Sequence, residues 1–391
     1  MSGAHVVLWG TLGLGVYTYA GYPLLLKLLA LVPRRRPAPR APPQWPMVSV
    51  TIPVYNEEAV IRAKLEHVLA GDYPPECRQI LVISDASTDR TDDIVREFAH
   101  RGVELIRLPR RRGKTAAENA AVRHARGEII VNSDASVREP PSALTALIAR
   151  FGDPTVGVAS GRDLSVSTVE GEANQGESGY TGYEMWIRRL ETKVAGIVGA
   201  SGCFYAIRAP LHQQPLPEGL SRDFAAPLTA RQHGYRAVSV EEAVVYVPRI
   251  ASLRREYRRK VRTMTRGMKT CFYKRALLNP LRYRLFAWEL FSHKLCRWLL
   301  PYAGLLALVA LVTLATVEPW ARWLLAAAGL AAALAVLGWV WPEGRRLPRV
   351  FSLPAYVLAG NIAVVHSWIN MLRGAGTATW EPTRRPSRRL S

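Results

Sequence analysis

The chain is short of cysteine and of acidic residues. Its four cysteines, Cys77, Cys203, Cys271 and Cys296, are scattered, with no CxxC pair and no histidine at metal-ligand spacing. That excludes a disulfide framework and a zinc site, and it suits a reducing compartment. Only 31 Asp and Glu face 52 Lys and Arg, a formal charge of +21 over 391 residues. An excess of that size calls for an anionic partner: nucleic acid, anionic lipid or a phosphorylated substrate. No helix-turn-helix, zinc-finger or RNP pattern accompanies the charge, which argues against nucleic acid. Two glycine motifs are also incomplete. Gly10, Gly13 and Gly15 follow no strand, and the GKT at 113–115 lacks the glycine that a Walker loop needs, the position being Leu108.

What is present is basic charge set beside long apolar runs. Residues 6–32 are apolar except for Lys27 and end in PRRR without a small-residue cleavage site, which predicts an uncleaved anchor. Further apolar spans near 299–316, 323–341 and 351–371 have the length of membrane crossings, and tryptophans such as Trp298, Trp339 and Trp368 sit near their ends. Between them, residues 249–275 read as a basic helix. Leu253, Tyr257, Val261, Met264, Met268 and Phe272 form one apolar stripe, with Arg255, Arg259, Arg262, Arg266 and Lys269 on other faces, a profile suited to the membrane interface. A surface helix packed on a soluble core is the plainer alternative.

The middle of the chain has a different rhythm. Short apolar strands are expected near 48–53, 79–84, 103–108 and 128–132, alternating with helices near 57–70, 88–100, 115–126 and 141–151. Strands near 155–160, 202–207 and 236–247 follow. The pattern predicts an α/β domain, a mostly parallel sheet with helices on both faces. The expected organisation is an N-terminal transmembrane anchor (1–32), a basic Pro-rich linker (33–46), a cytoplasmic domain (47–248), amphipathic interface helices (249–296), about three C-terminal transmembrane helices (297–372) and a basic tail (373–391). Arg34–Arg36, the basic helix and Arg345, Arg346 and Arg349 all favour the cytoplasmic side. A third full crossing then puts the Arg-rich tail outside, against the positive-inside tendency. A re-entrant last segment, an incomplete span and an exception to the rule all remain open.

Three strands end on carboxylates: IPVYNE at 52–57, ISDASTDRT at 83–91 and VNSDAS at 131–136. In an α/β sheet such ends open on the crevice where ligands bind. Asp89 reads as a helix cap, whereas Asp85 and Asp134 read as functional. Together with RRGKTAAEN at 111–119 and SRDFAAPLTARQHGYR at 221–236, these motifs resemble the membrane-bound family 2 glycosyltransferases with a GT-A fold, the group of the cellulose, hyaluronan and poly-N-acetylglucosamine synthases. The resemblance runs from YAGYP at 19–23 to TWEPTRR at 379–385 and rests on the order and spacing of the motifs.

The resemblance implies a role for each position. Asp85 contacts the base or ribose of a nucleotide-sugar donor, a UDP-sugar in those relatives, in a pocket shaped by Pro53, Tyr55 and Glu57, with Lys114 nearby. Asp134 holds a Mg²⁺ or Mn²⁺ that bridges the diphosphate. Ser136 stands where the synthases have a second Asp, and it binds the metal directly, through water or not at all. Asp223 is the general base of an inverting transfer, preceded by Arg222 where an acidic residue is common. RKVRT at 259–263 takes the place of Gln-x-x-Arg-Trp, with Arg259 for Gln, Arg262 as the diphosphate clamp and Thr263 for the acceptor-side Trp. Gly199, Ser201 and Gly202 belong to the acceptor end; a tight turn into a strand is the plainer reading. The implied activity moves a sugar to a growing polysaccharide or glycan, coupled to export through the membrane helices or an accessory export subunit. The alternative is a single transfer to a glycolipid or lipid-linked sugar. A non-catalytic protein binding membrane lipids is the reading from another class, and the retained carboxylates oppose it.

Overall fold

The computed structural model describes residues 2–33, 44–166, 175–248, 253–342, 347–374 and 379. The linker arginines Arg34–Arg36, the loop residues Arg345 and Arg346 and the Arg-rich tail lie outside the described residues.

The β-branched runs form one seven-stranded sheet: β1 Val48–Val54, β2 Arg78–Ser84, β3 Val103–Arg107, β4 Ile129–Ser133, β5 Val156–Val166, β6 Phe204–Arg208 and β7 Arg236–Pro248, in the order β3-β2-β1-β4-β6-β5-β7. β1 to β4 pair in parallel, β6 is antiparallel to β4 and β5, and β5 and β7 are parallel. Every residue of β1 is buried, as a parallel strand covered on both faces requires. The period of two decides which side chain goes where. Val50, Ile52, Ile80 and Val82 pack under helices Ile61–Leu69 and Ala143–Ala149, while Leu81 and Ile83 meet the alanines of helix Lys114–His124. Helix Arg222–Gln232 covers the same face further along, with Ala226 and Ala230 against Ile130, Val158 and Tyr205.

Among the described residues, three helical stretches are long and apolar enough to cross a membrane: Leu285–Ala315, Pro319–Val340 and Arg349–Leu372, with mean hydropathy of 2.1, 2.1 and 1.4. The N-terminal helices Gly3–Val16 and Tyr22–Ala30 are joined by a π turn at Tyr17–Gly21 and are not among the three. They nevertheless lie along the first, Leu8 packing on Ala310, Leu311 and Leu314.

The basic helix spans Leu253–Tyr273 and is shared between environments. It packs along the last apolar helix, where the Ser367 hydroxyl donates to the Val261 carbonyl at 3.1 Å and the Lys260 ammonium sits 3.4 Å from the Tyr356 ring centroid. Met268 of the expected stripe is buried, but Phe272 is exposed. The helix is thus docked on protein along one side.

A helix not expected from the sequence, Gln175–Val194, fastens the sheet domain to the apolar helices. Its Glu191 accepts from the Tyr22 hydroxyl at 2.7 Å and lies 2.5 Å from His293 Nδ1. Its Glu184 lies 2.7 Å from His293 Nε2 and accepts from Arg297 at 2.7 Å. Burial alone would raise the Glu184 carboxyl, but His293, Arg297 and Lys294 outweigh it and hold the group well below the usual range. Both π turns, Tyr17–Gly21 and Phe291–Leu295, border this network, and the Tyr17 hydroxyl meets Ser292 Oγ at 2.7 Å. An extra residue in a helical turn re-aims the side chains beside it. Here that brings Tyr17 and His293 to their partners.

Candidate active site

The carboxyl ends of β1, β2 and β4 open on one crevice. The loops after β1 and β2 are laced together. Asn56 and Ala86 both adopt positive φ, at 52° and 58°. Asn56 Oδ1 accepts from the Thr88 amide at 2.8 Å, and the Glu57 amide donates to Thr91 Oγ1 at 2.8 Å. Asp89 accepts from the Thr91 amide at 3.0 Å and from the Glu58 amide at 3.1 Å; it ties the two loops together just before helix Thr91–Arg96, whose N-cap position is Arg90. Pro53 is buried within β1, beyond the point where β4 has left that strand.

Asp85 is fully buried. Its Oδ1 accepts from the Arg112 amide and its Oδ2 from the Gly113 amide, both at 2.7 Å. Burial raises its pKa, and those two backbone bonds work against the rise. Asp85 therefore fixes the 110–113 loop, and that loop brings the Arg111 guanidinium 3.9 Å from the Tyr55 ring centroid. A flat aromatic–guanidinium stack at the rim of a crevice is a surface on which a nucleobase can lie. Gly113 has φ of 99°, a conformation that glycine takes without strain and that turns the loop into helix Lys114–His124.

The first residue of that helix is the hub of the site. Lys114 Nζ donates to Asp134 Oδ1 at 2.5 Å and to the Gly202 carbonyl at 2.7 Å. Burial opposes the Lys114 charge, but Asp134, Glu118 and Asp223 outweigh it and hold the ammonium well above its ordinary range. Asp134 Oδ2 has no hydrogen-bond partner among the described residues. Asp223 stands in the first turn of helix Arg222–Gln232, where its Oδ1 accepts from the Ser221 hydroxyl. Its Oδ2 lies where a Cβ on Gly202 would come within 2.9 Å, so the glycine makes room for the carboxylate. Gly202→Ala is expected to push Asp223 aside and lower turnover roughly 10–100-fold with the fold intact, since displacements near 1 Å at a reacting group have effects of this order. Turnover together with thermal unfolding of the variant checks this.

The other residues expected at the acceptor end sit in a rigid turn. Ser201 is fully buried; its hydroxyl donates to Asp163 at 2.6 Å and accepts from the Cys203 and Phe204 amides at 3.0 and 3.2 Å. Ser201 shapes the turn and has little left for a ligand. A Cβ on Gly199 would meet the Phe224 ring at 3.2 Å, so its role is also close packing. Ser136 follows Asp134 in the loop after β4, and Arg138 returns the chain to β7 through its backbone bridge with Tyr246.

The interface helix contributes a cation, one turn beyond the expected one. Arg259 forms a two-pronged pair with Glu256 of its own helix, at 2.8 Å on each side. Arg262 lines a cavity beside the last apolar helix. It is Arg266 that enters the crevice, donating to Thr115 Oγ1 and to the Leu220 carbonyl, both at 2.5 Å. Burial lowers the Arg266 pKa, against the pull of Asp223 and Glu118. Arg222 turns away from Asp223, its Nε donating to Asn119 at 3.0 Å and its Nη1 contacting His212 Nδ1 at 2.9 Å. The cation that stands beside the candidate base in sequence is thus occupied elsewhere.

Glu118, Asp163 and Arg266 complete the site and were not singled out from the sequence as site residues. Glu118 lies one turn after Lys114, on the same face of the helix. Burial pushes its pKa up to about 7, with Lys114 and Arg222 opposing and Asp223 and Asp134 reinforcing the rise. Below that pH the carboxyl is neutral; above it a negative charge arrives beside the crevice. An anionic diphosphate is therefore expected to bind more weakly as pH rises through about 7. The effect is about 1–2 kcal/mol at an effective dielectric near 20, or roughly five- to thirtyfold in affinity. Glu118→Gln is expected to flatten that dependence, as calorimetric titration of nucleoside diphosphate at pH 6 and 8 checks.

Comparison with known proteins follows this geometry. Residues 49–211 match the Glycosyl transferase family 2 model. Beta-monoglucosyldiacylglycerol synthase of Nostoc sp. is 28% identical over 198 residues, 49% of this chain and 42% of that protein. Undecaprenyl-phosphate 4-deoxy-4-formamido-L-arabinose transferase of Edwardsiella ictaluri is 33% identical over 105 residues, 26% of this chain and 32% of that one. A probable glycosyltransferase of Bacillus subtilis is 32% identical over 133 residues, 31% of this chain and 32% of its own length. The chain thus spans about a third to two-fifths of the length of these curated relatives. Among solved structures, a mannosyltransferase from Pyrobaculum calidifontis in complex with GDP-Man and Mn²⁺ superposes with a TM-score of 0.71 at 23% identity, over 94% of this chain and 99% of that one. That likeness establishes a shared fold.

Proposed function

We propose that this chain, which carries a family 2 glycosyltransferase domain on a GT-A fold, moves a sugar with inversion from a nucleoside-diphosphate sugar to a lipid acceptor at the membrane face. The observation that supports it most is the convergence of Lys114, Asp134 and Asp223 around the Gly202 carbonyl, at the end of a crevice rimmed by Tyr55 and Arg111.

The parts divide the chemistry. The base lies on the Tyr55–Arg111 stack above the loop that Asp85 holds. The diphosphate runs toward Lys114 and Arg266, whose charges offset the negative charge that grows on the departing group. The Asp223 carboxylate takes the proton of the acceptor hydroxyl as its oxygen forms the new bond to C1. The C1–O bond to the diphosphate breaks on the opposite face, and its electron pair leaves with the nucleotide. Asp134 offers one carboxylate with an oxygen left over, and no group of three or more metal-ligating residues stands among the described residues. That donor set fits a hard divalent cation that takes most of its ligands from phosphate and water. When bound, such a cation, Mg²⁺ or Mn²⁺, would neutralise the diphosphate.

A lipid acceptor is favoured over a long polymer. Arg259 is committed to Glu256, Thr263 offers no aromatic platform, and the three candidate crossing helices among the described residues are few to enclose a polysaccharide channel. The diacylglycerol and undecaprenyl-phosphate relatives are named for lipid acceptors. A panel of radiolabelled nucleotide sugars, with the full chain reconstituted in membranes and Mg²⁺ or Mn²⁺ supplied, tests the reading. An organic-soluble product of one or a few sugars is expected. A high-mass, water-soluble product would replace the lipid acceptor by a polymer, and no product from any donor would overturn the assignment.

A further inference from the structure

One lysine is buried where the helical pattern calls for an apolar residue. Helix Ile61–Leu69 turns Ile61, Lys64 and Leu65 toward the sheet, and Lys64 is enclosed almost as fully as its neighbours, at 3% exposure. A buried ammonium needs acceptors for its three protons. Here all of them lie in one stretch, residues 133–139. Lys64 Nζ donates to Ser133 Oγ at 2.7 Å, to the Val137 carbonyl at 3.4 Å and to Glu139 Oε1. The Ser133 hydroxyl donates to the same Glu139 oxygen at 2.6 Å and so closes a triangle beneath the loop.

That stretch carries Asp134. Ser133 is the last residue of β4, Asp134 follows it, and Glu139 stands at the far end of the loop. None of the three bonds goes to Asp134 itself; they gather the two ends and the middle of the loop that holds it. Backbone bonds fix the same loop from other sides, the Asp134 amide donating to the Cys203 carbonyl at 2.9 Å and the Arg138 amide to the Tyr246 carbonyl at 3.2 Å. At its own start the helix is tied to the loop after β1, where the Ile61 amide donates to the Glu57 carbonyl at 2.9 Å. Lys64 thus joins the loop that carries Tyr55 to the loop that carries Asp134.

We propose that Lys64 and Glu139 are positioning residues for Asp134, holding its loop so that the carboxylate is preset for the divalent cation of the donor complex. The inference rests on the role proposed for Asp134 and deepens it. Stability alone gives little reason for the arrangement. Apolar groups of similar size in place of a buried ion pair are often neutral or stabilising. Glu139 also keeps its second oxygen, Oε2, buried with no hydrogen-bond partner. What the pair supplies is a fixed shape, because one ammonium with three acceptors leaves the backbone between residues 133 and 139 few alternatives. Groups one step behind a metal-binding carboxylate act in this way, and their loss typically lowers metal affinity roughly 10–100-fold.

The test uses the full chain in detergent, with Mn²⁺ and UDP or GDP as probes. Electron paramagnetic resonance reads bound Mn²⁺, and calorimetry reads the nucleotide. The double variant Lys64→Met, Glu139→Gln removes both charges together, so no unpaired ion is left in the core. Its Mn²⁺ affinity in the nucleotide complex is expected to fall roughly 10–100-fold, while nucleotide affinity without metal and the unfolding temperature stay close to the parent's. Ser133→Ala keeps the ion pair and frees the start of the loop; it is expected to lose Mn²⁺ affinity in the same direction, and it decides the matter where the double variant does not fold. Leu65→Val, a packing change on the same helix face, is expected to lower the unfolding temperature and leave Mn²⁺ affinity as in the parent. Unchanged Mn²⁺ affinity in the folded double variant or in Ser133→Ala overturns the proposal. So does an equal loss in Leu65→Val, which reduces Lys64 to packing, or a parallel loss of metal-free nucleotide affinity, which means that the whole crevice is disturbed. Asp134→Ala is the reference. If it binds Mn²⁺ as the parent does, the role of Asp134 fails and the proposal with it; a loss there but not in the double variant overturns the proposal alone.

Discussion

Asp223→Asn lowers sugar transfer by roughly 10²–10⁴-fold, the usual worth of a positioned general base, and leaves nucleoside-diphosphate affinity within about twofold. The split follows from where the carboxylate stands. It lies over Gly202, on the acceptor side of Lys114, with the Ser221 hydroxyl on its Oδ1 and its Oδ2 aimed at the space above the glycine. An amide keeps the shape and the Ser221 contact but cannot take a proton. A general base acts only as the acceptor attacks, so kcat falls while donor binding holds. Single-turnover transfer and calorimetric binding on the same preparation check the two halves. A variant that loses donor affinity as much as turnover would make Asp223 part of the donor pocket.

Lys114→Met has the second large effect, and its signature differs. The ammonium bridges Asp134 and the Gly202 carbonyl, with Glu118 one turn behind. Its removal leaves the carboxylates of Asp134, Asp223 and Glu118 without their shared cation just where a diphosphate must enter. Donor affinity is therefore expected to fall together with turnover, by roughly 10²–10³-fold in kcat/KM, the range for losing one preorganised electrostatic contact. The methionine side chain fills a similar volume, so secondary structure by circular dichroism should be unchanged. Unaltered donor affinity would remove Lys114 from the diphosphate path.

The expected roles of these two residues came from the resemblance of their motifs, and their places in the fold are simple ones. Asp223 and Lys114 begin helices, and Asp85 and Asp134 follow strands whose apolar runs leave no other place for a carboxylate than the end. Glu118, Asp163 and Arg266 were harder. Glu118 sits inside a helix and reads as a solvated charge until Tyr205 and Arg222 are seen closing over it. Asp163 is mid-strand in β5, and only the turn at Ser201 brings it a partner. The interface helix repeats an arginine on successive turns, Arg259, Arg262 and Arg266, and local spacing cannot say which turn meets Leu220. Helix Gln175–Val194 escaped notice because its buried charges look polar in one dimension. Glu184 and Glu191 find their partners in His293 and Arg297, more than a hundred residues away. Long-range polar contacts of this kind leave no periodic trace.

The central claim is that one carboxylate on the acceptor side drives a single displacement at C1. Its most direct measurement is the anomeric configuration of the first product, read by NMR, when the reconstituted chain turns over the α-linked nucleotide sugar that it accepts. The geometry around Asp223 and Gly202 predicts a β-linked product. An α-linked product would contradict it, because retention requires a second displacement or a front-face path that a base at Asp223 does not serve.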